Sequence, residues 1–105
     1  MNKDVVETIS DLSVRVTKHR KAWIPRKLRD HDAVTSLRGR KIKHVRSIRD
    51  DEIVFLIVEG TEHHLGRAPK MPKNLRLTIP ENIAKEGDFL YFFTEQNKLY
   101  YTVCI

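Results

Sequence analysis

The stretch Leu75-Arg76-Leu77-Thr78-Ile79-Pro80, followed by Glu86-Gly87-Asp88 and Phe89-Leu90-Tyr91-Phe92-Phe93, decides how this chain is read. Leu75, Leu77 and Ile79 alternate with polar residues, the period of a half-buried strand. Pro80 ends that strand because proline has no N–H to give a ladder. Residues 81–85 leave room for one helical turn, and Glu86-Gly87-Asp88 is turn chemistry. Residues 89–93 and 98–103 then form a hairpin around residues 94–97.

Working outward, residues 12–18 alternate, with Leu12, Val14 and Val16 on one side and Arg15 on the other. Ala22-Trp23-Ile24 is a short extended piece closed by Pro25, and residues 26–31 read as a short helix with Pro25 at its first turn. Residues 41–48 carry Ile42, Val45 and Ile48, a spacing of three that suggests a bulged strand. Asp50-Asp51 is a turn, so residues 41–48 and 53–59 make a first hairpin. The run 53–58 is apolar throughout and is expected to be buried on both faces. Residues 60–72, with Gly60, Gly66, Pro69 and Pro72, read as a linker. The fold class is therefore mainly β with short helical turns. It consists of two β-hairpin units, residues 12–59 and 73–104, within a single domain of 105 residues.

The two units echo each other. Laying Ile24-Pro25 on Ile79-Pro80 brings Leu28 onto Ile83, and each unit runs strand, Ile-Pro, short helix, turn, hairpin. The second unit, through Ile79-Pro80, Glu86-Gly87-Asp88 and the closing hairpin, resembles the swapped-hairpin domain of AbrB/SpoVT/MazE-type transcription factors and antitoxins. The resemblance covers residues 73–104 and, more weakly, 12–59. In the first unit the Gly-Asp turn is missing, and extra residues near 35–40 precede the hairpin. The resemblance implies a swapped-hairpin-like barrel or sandwich, with two interlocking hairpin units from one chain or from a homodimer. It also implies a basic face on DNA and a role in transcription regulation. The positions matching the family's first strand are Arg15, Lys18, Arg20 and Lys21 in unit one, and Lys73 and Arg76 in unit two.

Charge points the same way. The chain holds 20 Lys+Arg against 14 Asp+Glu, a net charge of +6. The excess sits in the first half. Residues 15–49 contain 13 basic residues and only Asp30 and Asp32 as acids. A field of one sign over so long a stretch captures polyanions and makes their binding salt-sensitive. Arginine outnumbers lysine there, and the guanidinium fork grips phosphate or a guanine edge with two bonds. The candidate DNA-binding residues are Arg15, Lys18, Arg20, Lys21, Arg26, Lys27, Arg29, Arg38, Arg40, Lys41, Lys43, Arg46, Lys73 and Arg76. A double-stranded DNA-binding protein is the leading reading. An RNA-binding module and an antitoxin-like interaction protein are the alternatives.

Other classes find little support. The longest unbroken apolar run, residues 53–58, is too short to span a bilayer, and no wide apolar face backs the basic run for a membrane surface. No signal peptide is visible, and one cysteine, Cys104, allows no internal disulfide, so a reduced, cytoplasmic setting is expected. Glu62-His63-His64 and the set His31, Asp32 and His44 lack the spacing of a metal site. Asp50-Asp51-Glu52 reads as a solvated turn, Cys104 as a small core or edge residue, and no catalytic constellation or cofactor motif stands out. Gly66-Arg67-Ala68-Pro69-Lys70 reads as a linker rather than as a minor-groove arm. Trp23 is either a base-stacking ring or, the favoured reading, a core or partner-facing anchor. Phe89, Tyr91 and Phe93 alternate with Leu90 and Phe92, with Tyr100 and Tyr101 opposite. One aromatic face is therefore expected to meet a second layer or a second copy, an RNA-recognition sheet being the competing interpretation.

Overall fold

A computed structural model describes residues 12–60 and 70–104, and its strands fall largely where the alternation puts them. In chain order they are β1 (Ser13–Arg15), β2 (Lys21–Trp23), β3 (Ile42–Arg49), β4 (Glu52–Glu59), β5 (Arg76–Thr78), β6 (Phe89–Glu95) and β7 (Lys98–Cys104), with one short helix, α1 (Asp32–Thr35), between β2 and β3. They form two antiparallel sheets and no closed barrel. One sheet is five-stranded, in the order β1-β6-β7-β4-β3; the other is a two-stranded ribbon of β2 and β5.

Both hairpins turn through two residues in the left-handed region, Asp50 and Asp51 in the first, Gln96 and Asn97 in the second. Two positive φ values in a two-residue loop give the twist that antiparallel strands need. The second loop is thus tighter than the four-residue loop expected from sequence. The ladder of β3 on β4 runs residue for residue from Ile42↔Glu59 to Arg49↔Glu52, so the bulge suggested by the spacing of three is not there. The run 53–58 is not buried on both faces throughout: Val54 and Ile57 are buried, one on each face, while Ile53 is exposed. The expected helix at residues 26–31 is a 3-10 turn at Arg26–Leu28, and a separate single helical turn, α1, follows it. The His31 imidazole starts α1, its Nδ1 accepting the Ala33 N–H at 3.0 Å.

The core lies between the inner face of the large sheet and a second layer. Leu90, Phe92, Leu99, Tyr101 and Ile57 face inward from the sheet. Ala22, Leu77, Ile24, Ile79, Leu28, Val34 and Met71 meet them from the ribbon and its flanking turns. The two halves of the chain complete each other: β1 pairs with β6, β2 with β5, and β4 with β7. Some register partners also occupy matching places in the two halves. Superposing Ile24 on Ile79 puts Ala22 on Leu77, and these two are register partners. Superposing the two hairpin turns puts Phe55 on Tyr101, again register partners. Gly87 links the halves as well: its left-handed backbone, which glycine adopts without cost, lets its N–H donate to the Val16 carbonyl at 2.8 Å.

Tyr101 is buried at the sheet centre, stacked on Phe55 and within 2.6 Å of His44 Nδ1. Burial pushes its phenol far above the ordinary tyrosine range, since a phenolate there loses its water. The native state keeps this proton while the unfolded chain releases it near pH ~10. The stabilisation is therefore complete below that pH and is lost progressively as pH rises from there toward the folded-state value. Urea titrations at increasing alkalinity are expected to show stability falling above about pH 10, and falling less in Tyr101→Phe. Parallel declines in the two proteins would remove Tyr101 as the cause.

Candidate nucleic-acid interface

The ribbon presents one flat face to the core and one to solvent. Ala22 and Leu77 point inward, so their neighbours Lys21, Trp23, Arg76 and Thr78 point out. Each strand is entered through a non-glycine residue with positive φ, Arg20 before β2 and Leu75 before β5. Such residues cost roughly 1–2 kcal/mol each against a right-handed alternative. Tertiary bonds hold them: Arg20 accepts the Ile79 N–H at 2.8 Å, and Leu75 donates to the Pro72 carbonyl at 3.0 Å and accepts the Ile24 N–H at 3.0 Å.

On the outward face Trp23 is 42% exposed, so it is not a core residue. The guanidinium carbons of Arg29 and Arg76 each lie 5.8 Å from its ring centroid, within cation–π range. The Arg29 Nε donates to the Ile24 carbonyl at 3.3 Å, and Lys21 Nζ donates to Thr78 Oγ1 across the ribbon. Among the described residues none of Arg20, Lys21, Arg29 and Arg76 is paired with a carboxylate. The Nε atoms of Arg20 and Arg76 are buried without a hydrogen-bond partner. The result, among the described residues, is an indole flanked by cations that have no carboxylate partner, on a two-stranded ribbon.

The remaining candidates divide between this surface and others. Lys18, Arg26, Lys27 and Lys73 lie on the segments that enter and leave the ribbon. Arg15 lies on the opposite, outward face of the large sheet, beside Phe89. Arg38 and Arg40 follow α1, with Arg40 at 4.0 Å from Glu59, and Lys41 bridges Lys70. Lys43 and Arg46 are exposed on β3. The cations of residues 15–49 therefore occupy more than one face. Arg49, at the end of the basic run, is engaged: it pairs with Glu95 and lies 5.0 Å over Tyr100. The hydrogen bond to Glu95 is the main reason its guanidinium holds its proton above the ordinary value.

Sequence reading missed Thr78 and the convergence of Arg29 and Arg76 on Trp23. The alternation Lys21-Ala22-Trp23 carried part of that signal, but it names no partner strand. His31 and His44 are separate, the first capping α1 and the second against Tyr101. Cys104 is exposed at the end of β7, and partial burial raises its thiol. Phe89, Tyr91, Phe93 and Tyr100 share the sheet's outer face, with Phe93 stacked on Tyr100 at 5.2 Å and Phe89 51% exposed. Among the described residues no helix is long and apolar enough to cross a membrane. The segments with His63-His64 and Gly66-Arg67-Ala68-Pro69 lie outside the described residues. Comparison with protein-family models, curated proteins and solved structures finds no match.

Proposed function

We propose that this protein binds double-stranded DNA through the outward face of the β2–β5 ribbon, as a regulator or an architectural protein. The observation that carries the reading is the group Lys21, Trp23, Arg29 and Arg76, without a carboxylate partner among the described residues. A two-stranded ribbon is a shape the major groove admits. Its outward side chains meet base edges, while Lys18, Arg20, Arg26, Lys27 and Lys73 on the adjoining segments meet phosphates. Phosphate contacts then set affinity and register, and base contacts set the site. Arg76 has the fork that guanine accepts, and Trp23 offers an apolar surface to a thymine methyl or an unstacked base.

Trp23 also supplies the assay, because it is the one tryptophan of the chain. Titrating the protein with random-sequence duplex is expected to quench its fluorescence, with affinity falling steeply as salt rises. Trp23→Ala, followed by gel retention, is expected to weaken binding by about 1–2 kcal/mol, the order of one aromatic–base contact. Single-stranded DNA and RNA of equal length are expected to bind more weakly. Equal or tighter binding of the single strands would replace the duplex reading, and no retention of any nucleic acid at low salt would end it.

A further inference from the structure

Trp23 and Arg76 stand directly opposite each other across the ribbon, register partners with both side chains on the solvent face. Residues so paired have β-carbons about 5 Å apart, and successive bases of a strand are separated by ~3.4 Å. The two side chains therefore reach neighbouring bases rather than distant ones. Both are held in place. The Arg76 N–H donates to Asn74 Oδ1 at 3.0 Å, and the Arg76 guanidinium carbon lies 5.8 Å from the centroid of the Trp23 ring. Arg29 braces the same ring at 5.8 Å, its own Nε donating to the Ile24 carbonyl. The Nε of Arg76 is buried without a hydrogen-bond partner, which leaves the two terminal nitrogens as the end of the fork that a ligand meets. No carboxylate pairs with that fork among the described residues.

We infer that this pair reads a two-base step, a 5-methylpyrimidine followed by guanine; the inference rests on the duplex-binding role proposed above and names its site. Guanine presents O6 and N7 as two acceptors in the major groove, the match for an end-on guanidinium fork. Thymine presents its C5-methyl, the apolar group on that edge. An indole beside a guanidinium offers both surfaces at the spacing of one step. The order is thymine then guanine on mechanical grounds. Pyrimidine–purine steps unstack and kink most readily, so a flat, bulky indole meets least resistance there. Lys21 and Thr78, joined by the bond from Lys21 Nζ to Thr78 Oγ1, form the next row of the ribbon and face the flanking backbone. Methylation of the cytosine in a CG step creates the same edge. Methylated CG is therefore expected to be bound as TG is, and unmethylated CG more weakly.

The test compares short duplexes that differ in one group, by competition gel retention at a single salt concentration, so that phosphate contacts stay constant. Uracil in place of the thymine of a central TG step removes only the methyl, and is expected to weaken binding about fourfold, the worth of one buried methyl. 7-Deazaguanine in place of the guanine removes the N7 acceptor, and is expected to cost about tenfold, as is reversing the step to GT. In Trp23→Ala the methyl effect is expected to vanish while the 7-deazaguanine effect stays; in Arg76→Ala the two are expected to exchange. The base-analogue comparisons use the parent protein, so they decide even where a variant does not fold. Equal binding of thymine and uracil duplexes, or of TG and GT, overturns the inference and leaves duplex binding intact. A methyl effect that survives Trp23→Ala does the same. Absence of binding to every duplex ends the ribbon's proposed role itself, and this inference with it.

Discussion

Lys21→Glu combined with Arg76→Glu is expected to lower duplex affinity about a hundredfold or more near physiological salt, each lost contact to a base or phosphate removing roughly 1–3 kcal/mol. Both side chains stand on the solvent face of the ribbon, and neither contributes to the core. The reversal also puts two carboxylates where a phosphate backbone approaches. The slope of affinity against salt is expected to become shallower, since fewer counterions are released on binding. Circular dichroism and thermal melting are expected to match the parent, which separates lost binding from lost fold. A folded double variant within about threefold of the parent's affinity would contradict the ribbon interface.

The largest effect on stability is expected at Phe92. Its ring is fully buried and lies 5.3 Å from that of Tyr101, where the inner faces of β6 and β7 meet. Phe92→Ala leaves a cavity that the surrounding strands close only in part, a loss of about 3–5 kcal/mol. Small domains have only about 5–15 kcal/mol in total, so much of the protein is expected to unfold at physiological temperature. Phe89→Ala, three residues earlier but 51% exposed, is expected to change stability by no more than about 0.5 kcal/mol. Urea midpoints of the two variants check the contrast. Similar midpoints would place the core elsewhere.

The elements legible from sequence were those with strong local punctuation. Pro25 and Pro80 mark strand ends, Asp50-Asp51 marks a turn, and the alternation of Leu75, Leu77 and Ile79 marks a face, with Leu75, Leu77 and Ile79 all buried. Positions 18–20 were less legible. Residues 12–18 alternate, yet the strand stops at Arg15 and the chain reverses through Lys18–Arg20 with His19 and Arg20 left-handed, a backbone no glycine advertised. The exposure of residues 53–58 is not legible for a tertiary reason: an apolar run records hydrophobicity but not whether a second layer reaches it. The site was legible as charge and not as place. Counting arginines marks a basic half, whereas bringing Arg76 beside Trp23 requires the pairing of β2 with β5, more than fifty residues on in the chain.

That pairing also bears on how the chain is made. Lys21 and Trp23 leave the ribosome long before Arg76 and Thr78 have been translated, and β1 waits longer still for β6. Closing loops of that length is entropically costly before any contact repays it, so assembly is expected to be slow for so small a protein. Until then β1 and β2 are without their partner strands, while the β3–β4 hairpin can already pair within the N-terminal half. A fragment that stops before β5 has no second strand on which to build the platform.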